Sequence, residues 1–315
     1  MGRALEVGMG SWPVTVLLPI VLALIMFGLG LGLTVADFTR VARYPRAVLV
    51  ALGCQLVLLP AIAFGLVLAT GIAPASAVGV MLLMAAPGGA TANLLSHLFR
   101  GDVALNVTLT AINSLLAVLT LPVVANLALT YFAPAGQERL GLQSGKLLQV
   151  FALVLVPVLA GMLTRAARPR WSARLDRPVR VLALGFLTVA TVAALVVERR
   201  NIGGYLAEVG VLIPALCAIG LGVGYLVPKA AGLARPQALA CAMEVGIHNS
   251  ALAMTIAVSV LGDIRMAVPA GVYSIVSVPL ALLAGWLITA GGARPARASA
   301  PRFRAHSIAR NRSAR

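Results

Sequence analysis

The stretch Glu244-Val245-Gly246-Ile247-His248-Asn249-Ser250 is a polar run in the middle of an apolar segment that extends over about 236–261. That segment is long enough to cross the ~30 Å hydrocarbon core of a bilayer. Glu244 sits near its centre, and no other Asp or Glu lies as deep in an apolar stretch. A carboxylate at that depth costs roughly 2.5 kcal/mol or more unless something compensates it. Gly246 weakens the helix, and His248, Asn249 and Ser250 follow it directly. An interrupted helix with free carbonyls beside an acid is the chemistry of a cation site at the bilayer midplane.

The rest of the chain agrees with a membrane setting. Hydrophobic residues make up 60% of it, charged residues 11%, and the mean hydropathy is +0.99. A water-soluble core does not need that much apolar sequence, whereas a polytopic membrane protein does. Apolar segments recur at about 13–34, 45–69, 75–99, 102–132, 146–167, 179–197, 204–228, 236–261 and 266–290. That pattern predicts about nine spans, each near or above the ~20 residues a helix needs. The connectors are short, so residues 13–290 read as one integral domain, with an N-terminal segment 1–12 and a basic tail 291–315. The first apolar stretch is too long for a signal-peptide core and has no clear cleavage site. Cys54, Cys217 and Cys241 all fall in apolar segments and read as small buried hydrophobes.

The net charge is +16. In a soluble chain it would suggest nucleic acid. Here the basic residues lie between the apolar segments and in the tail, which points to membrane lipid and topology instead, with no nucleic-acid partner. Alternate connectors beginning with 35–44, together with the tail, hold 19 of the 25 Lys and Arg. The positive-inside rule makes that side cytoplasmic, with the N-terminus out and the C-terminus in. This is the expectation for an inner (plasma) membrane protein.

Two further segments join the opening motif. In the third span, Ala86-Pro87-Gly88-Gly89-Ala90-Thr91-Ala92-Asn93 combines a proline, which removes a donor and clashes with the preceding turn, with paired glycines. A break near the centre of this span is expected. The fourth span carries Asn106, Thr110 and Asn113 at i, i+4 and i+7, on one helix face. Such a stripe either glues helices or lines a site. Thr108 and Ser114 fall off it and read as bonding to their own backbone. Gln55, a lone amide in span two, reads more readily as an interhelical hydrogen bond than as a ligand. Glu244 and His248 share a face if the helix is intact between them, which would make the imidazole a pH-dependent partner of the acid. Spans three and eight are five apart and so run in opposite directions. Paired broken helices in two such halves indicate an inverted-repeat transporter.

Pro87-Gly88-Gly89 with Asn93, then Arg100-Gly101-Asp102-Val103-Ala104-Leu105, and later Glu244 to Ser250, resemble the bile acid:sodium symporter family. The similarity runs from Met26-Phe27-Gly28-Leu29-Gly30-Leu31 to about the ninth span. The resemblance implies an all-α membrane protein with an inverted repeat, a panel domain and a core domain in which two discontinuous helices cross. This chain looks like the family's shorter, nine-span form. By that analogy spans one, five and six form the panel, and spans two to four with seven to nine form the core. The implied function is sodium-coupled symport of an organic anion, with a small carboxylate favoured for a bacterial member.

Residue by residue, the resemblance implies a first sodium site from Asn93, Asn106, Thr110 and Glu244. A second would use Gln55, Glu244, the backbone of Val245 and Ile247, and the side chain of His248. Thr91, Asn249 and Ser250 would face the substrate cavity. Two departures bear on sodium. Ala92 stands where bacterial relatives often have serine, and His248 stands where glutamine is common. Neutral imidazole is a poor ligand for a hard, oxygen-seeking ion, so the second site is altered, lost or coupled to protons. Two other readings compete. A metalloid oxyanion efflux permease would want a reactive cysteine near the break, and no cysteine lies in 85–96. An intramembrane enzyme or ligand sensor would have Glu244 with His248 as its only candidate pair.

Overall fold

The structure is a computed structural model that describes residues 43–132, 144–175 and 202–290, with scattered positions in 20–32 and 178–185. Parts of spans one and six, and all of the terminal segments 1–12 and 291–315, lie outside the described residues. All the elements described are helical. α1 runs Pro45–Thr70, α2 Pro74–Ala85, α3 Ala90–Leu98, α4 Val103–Phe132 and α5 Ser144–Ala167. α6 covers Ile202–Val209, α7 Leu212–Ala230, α8 Arg235–Gly246, α9 Ser250–Ser259 and α10 Val268–Ala290. Among the described residues, four helical stretches are long and apolar enough to cross a membrane: Pro45–Thr70, Val103–Phe132, Leu206–Ala230 and Ile264–Ala290. An all-helical polytopic membrane protein is therefore the architecture.

Both expected breaks are present. α2 stops at Ala85, Ala86 is extended (ψ 141°), and α3 starts after Gly89. Pro87 explains the stop, because the residue before a proline is pushed out of the helical region. α8 stops at Gly246, Ile247 is extended (φ −123°, ψ 93°), and α9 starts at Ser250. Each broken pair leads through a tight turn into a long helix. The first turn passes through Arg100 (φ 59°) to Asp102, whose carboxylate accepts from Leu105 N–H at the start of α4. The second passes through Gly262 (φ 71°) to Asp263, whose carboxylate accepts from Arg265 N–H ahead of α10.

The two extended segments meet. Gly88 and His248 form an antiparallel bridge, and Asn249 N–H donates to the Pro87 carbonyl at 2.8 Å. Backbone freed from a helix in an apolar setting must find such partners inside the protein. α8 is brought close by α7, where Gly220 and Gly224 lie against the backbone of 241–246. Side chains at either position would hold the helices apart, as small residues at membrane-helix interfaces avoid.

α1 has one irregularity with a local cause. Residues Cys54–Leu58 form a π turn, closed by Leu59 N–H to Cys54 O. Pro60 follows, and its ring cannot sit over the carbonyl four residues back in a regular helix, so the turn widens. Gln55 lies in this wide turn and is buried.

Candidate functional site

Glu244 is fully buried, at 0% exposure, in the last turn of α8. Its carboxylate accepts from Thr110 Oγ1 at 2.6 Å and from Asn113 Nδ2 at 3.0 Å, both on α4. The Gly88 N–H of the first crossover donates to it as well. Asn93 Nδ2, one turn into α3, donates to Thr110 Oγ1 at 3.3 Å. Asn106 Nδ2 donates to the Ala240 carbonyl of α8 at 2.7 Å. Helix α4 thus delivers its whole polar stripe to α8, as the i, i+4, i+7 spacing predicts. Thr108 bonds back to Ala104 O at 2.9 Å, in keeping with its place off the stripe.

The site's oxygen balance is unusual. Among the described residues Glu244 has no basic side chain paired with it. The amide oxygens of Gln55, Asn93, Asn106 and Asn113 are buried and accept no hydrogen bond. An unsatisfied buried acceptor costs roughly 1–3 kcal/mol, and native proteins keep few of them. Asn113 bonds the Glu244 carboxylate, Asn93 bonds Thr110 beside it, Asn106 bonds α8 one turn earlier, and Gln55 lies at the adjoining crossover. A hard cation, which takes carboxylate and carbonyl oxygens, fits that donor set.

His248 does not pair with Glu244. The helix is broken between them, so the i, i+4 geometry never forms. Its Nδ1 instead lies 2.9 Å from the Ala86 carbonyl. A carbonyl only accepts, so this contact assigns the proton to Nδ1. Gln55 Nε2, 3.2 Å from the ring nitrogen and 3.1 Å from Ala86 O, then donates to the same carbonyl. The expected interhelical role of Gln55 is therefore present, and it closes the first crossover against the second. Val245 and Ile247 are buried, and Ile247 N–H still bonds to Met243 O at 3.1 Å.

The residues expected to face a substrate differ in their freedom. Thr91 is exposed, and Asn249 and Ser250 are partly so. The Asn249 Oδ1 caps α9 by accepting from Leu252 N–H at 3.1 Å, which leaves its amide nitrogen as the free polar group. α3 and α9 both begin at the crossing, so two helix N-termini, each with a positive end, are aimed at this region.

Tyr273 on α10 completes the second crossover and was not foreseen. It is fully buried; its hydroxyl donates to the Gly246 carbonyl and accepts from His248 N–H at 3.3 Å. The Cys217 thiol also reaches Gly246 O, at 3.7 Å. The hydroxyl pairs the last carbonyl of α8 and the first free N–H beyond it. Tyr273→Phe leaves the His248 N–H without this partner, at about 1–3 kcal/mol, and leaves Gly246 O with only the weak Cys217 thiol donor. A lower melting temperature in detergent is expected, and an unchanged one would remove the role.

The three cysteines are free and buried. The profile of the Sodium Bile acid symporter family matches residues 19–204. A sodium-dependent transporter of Bacillus subtilis, YocS, is 32% identical over 81% of this chain and 78% of its own length. The ileal sodium/bile acid cotransporter of Oryctolagus cuniculus is 28% identical over 76% of this chain and 68% of its own. A probable sodium/metabolite cotransporter of rice chloroplasts, BASS2, is 25% identical over 84% of this chain, which spans 62% of that relative. A profile that covers more than half the sequence, and a bacterial relative aligned along most of both chains, leave one conclusion: the chain belongs to the Sodium Bile acid symporter family.

Proposed function

We propose that this protein is a sodium-coupled symporter of a small organic anion that works by alternating access. The observation that carries the reading is a fully buried Glu244 carboxylate with no basic partner among the described residues, together with the buried, donorless amide oxygens of Asn93, Asn106 and Asn113 on the elements that pack against it. Sodium supplies the positive charge that these oxygens lack. The first site would use Glu244, Asn93, Asn106 and Thr110. Asn113, read from sequence as helix glue or site lining, joins them through its bond to the carboxylate. Gln55, Glu244, His248 and the backbone of Val245 and Ile247 would form the second. That position is weakened for sodium because His248 Nδ1 is spent on Ala86 and the remaining ligand atom, Nε2, is a nitrogen that a hard cation takes poorly.

The anion would sit where α3 and α9 begin, near Thr91, Asn249 and Ser250, held by free N–H groups and helix dipoles. Ion binding there lowers the local negative charge and so favours the anion. Residues 13–290 act as one transport domain, with the basic tail 291–315 cytoplasmic in a bacterial inner membrane. The panel would be spans one, five and six; Gly30 packs on Gly161 of α5, and Gly28 on Val179, which supports that grouping. The core, 45–132 and 204–290, would move against it and expose the crossing to alternate sides.

A thermal-shift comparison tests the ion and the substrate together. Binding to the folded state raises apparent stability by mass action. Sodium is expected to raise the melting temperature of the purified protein where potassium at equal ionic strength does not, and a small carboxylate should add to the shift only with sodium present. Equal shifts with both cations would sink the coupling. Asn113→Ala removes a hydrogen bond to a charged group, about 1.5–3 kcal/mol. A rise of roughly tenfold to a hundredfold in the sodium concentration for half-maximal uptake follows; no change would exclude Asn113 from the site.

A further inference from the structure

The corner that follows α5 carries a charge cluster that the transport reading does not use. Arg165 is committed inward: its Nη1 donates to the Leu31 carbonyl at 2.8 Å, and buried Ser172 donates to the same oxygen at 3.5 Å. These two bonds tie the corner to span one. Across this corner the chain displays Arg168, Arg170 and Arg174 around Trp171, which is 54% exposed. Together with Pro169 they line an open cavity of about 440 Å³. None of the three arginines pairs with an acid among the described residues. Leading up to the corner, α5 exposes Val156, Leu159 and Leu163, an apolar stripe at helical spacing.

We propose that this corner binds the headgroup of an anionic phospholipid carrying two phosphates. Guanidinium groups fork onto phosphate oxygens and bind them bidentately. Three fixed positive charges exceed what one singly charged headgroup neutralises, and two phosphates match them better. Trp171 is the side chain favoured at the depth of headgroups. The apolar stripe supplies a track for acyl chains directly below the charges, which a soluble phosphate would not need. Basic pockets at the ends of membrane helices take such headgroups on the cytoplasmic side, the side to which the basic connectors assign this corner.

The test uses full-length protein, delipidated in neutral detergent. Its thermal shift and native-mass-spectrometry binding are followed with a diphosphatidyl lipid, phosphatidylglycerol at twice the concentration, phosphatidylcholine and inorganic pyrophosphate. The diphosphatidyl lipid is expected to give the largest shift, and phosphatidylcholine and pyrophosphate none. Arg168→Gln/Arg170→Gln/Arg174→Gln should weaken the lipid at least about tenfold. Removing these charges could disturb insertion, so the matching triple lysine variant keeps the charge and loses only the fork; it should still bind several-fold more weakly. Arg302→Gln/Arg304→Gln/Arg310→Gln in the tail should bind as the wild type does. Equal shifts at matched charge with phosphatidylglycerol, wild-type affinity in the lysine variant, or an equal loss in the tail variant would overturn the proposal. A shift with pyrophosphate alone would replace the lipid with a soluble diphosphate.

Discussion

Glu244→Gln is expected to abolish sodium-stimulated uptake while the protein still inserts and folds. The substitution is nearly isosteric. It removes a charge from the centre of a membrane segment, which lowers rather than raises the cost of insertion. The glutamine carbonyl can still accept from Thr110 Oγ1 or Asn113 Nδ2, the present partners of the carboxylate. What disappears is the attraction between carboxylate and cation. Two unit charges ~4 Å apart attract by about 4 kcal/mol at an effective dielectric of about 20, or roughly a thousandfold in binding. Uptake in proteoliposomes should become independent of a sodium gradient, and sodium should no longer protect the variant against heat. Wild-type sodium dependence in this variant would remove the coupling role altogether.

Gly88→Ala should be nearly as damaging, for a steric reason. The Gly88 Cα faces the acid so closely that an added Cβ would overlap the Glu244 carboxylate carbon and both its oxygens. Neither side can give easily. Gly88 is held by its bridge to His248, and Glu244 by its bonds to α4. Overpacking of this kind costs about 1–3 kcal/mol, and the least costly relief is to push the carboxylate off Thr110 and Asn113. Sodium-stimulated uptake should fall to a small fraction of wild type. Gly89→Ala is the control, because nothing lies within 4 Å of a Cβ there. It should keep most of its transport; equal loss at both positions would show that the crossover fails for lack of flexibility rather than space.

Much of this site was legible before any coordinates. Pro87-Gly88-Gly89 and Gly246 are backbone signals that act locally, so both breaks could be read from composition. The α4 stripe follows from helical spacing alone. Less legible were the features set by contacts between distant residues. Tyr273 looks like any aromatic in an apolar helix, and its partner Gly246 is 27 residues away. The aim of Gln55 depends on a π turn whose only local trace is Pro60. The pairing of His248 with Glu244 holds only for a continuous helix, and the same break that makes the site removes that condition. An Asn just ahead of an apolar helix is also a capping signal, and Asn249 Oδ1 takes that role at α9.

Part of the fastening of the crossing is main chain, beside the side-chain bonds of Gln55 and His248 to Ala86 O. Gly88 meets His248, and Asn249 N–H meets Pro87 O, through main-chain atoms; every residue type carries the carbonyl, and every type except proline carries the N–H. That part of the join places little demand on which side chains surround it. A residue such as Ala92 can be exchanged without unfastening the join, whereas replacing His248 gives up the imidazole's bond to Ala86 O and leaves the main-chain bonds to hold it. The Asn249 amide, locked in that join, should be among the last in the chain to exchange with deuterium.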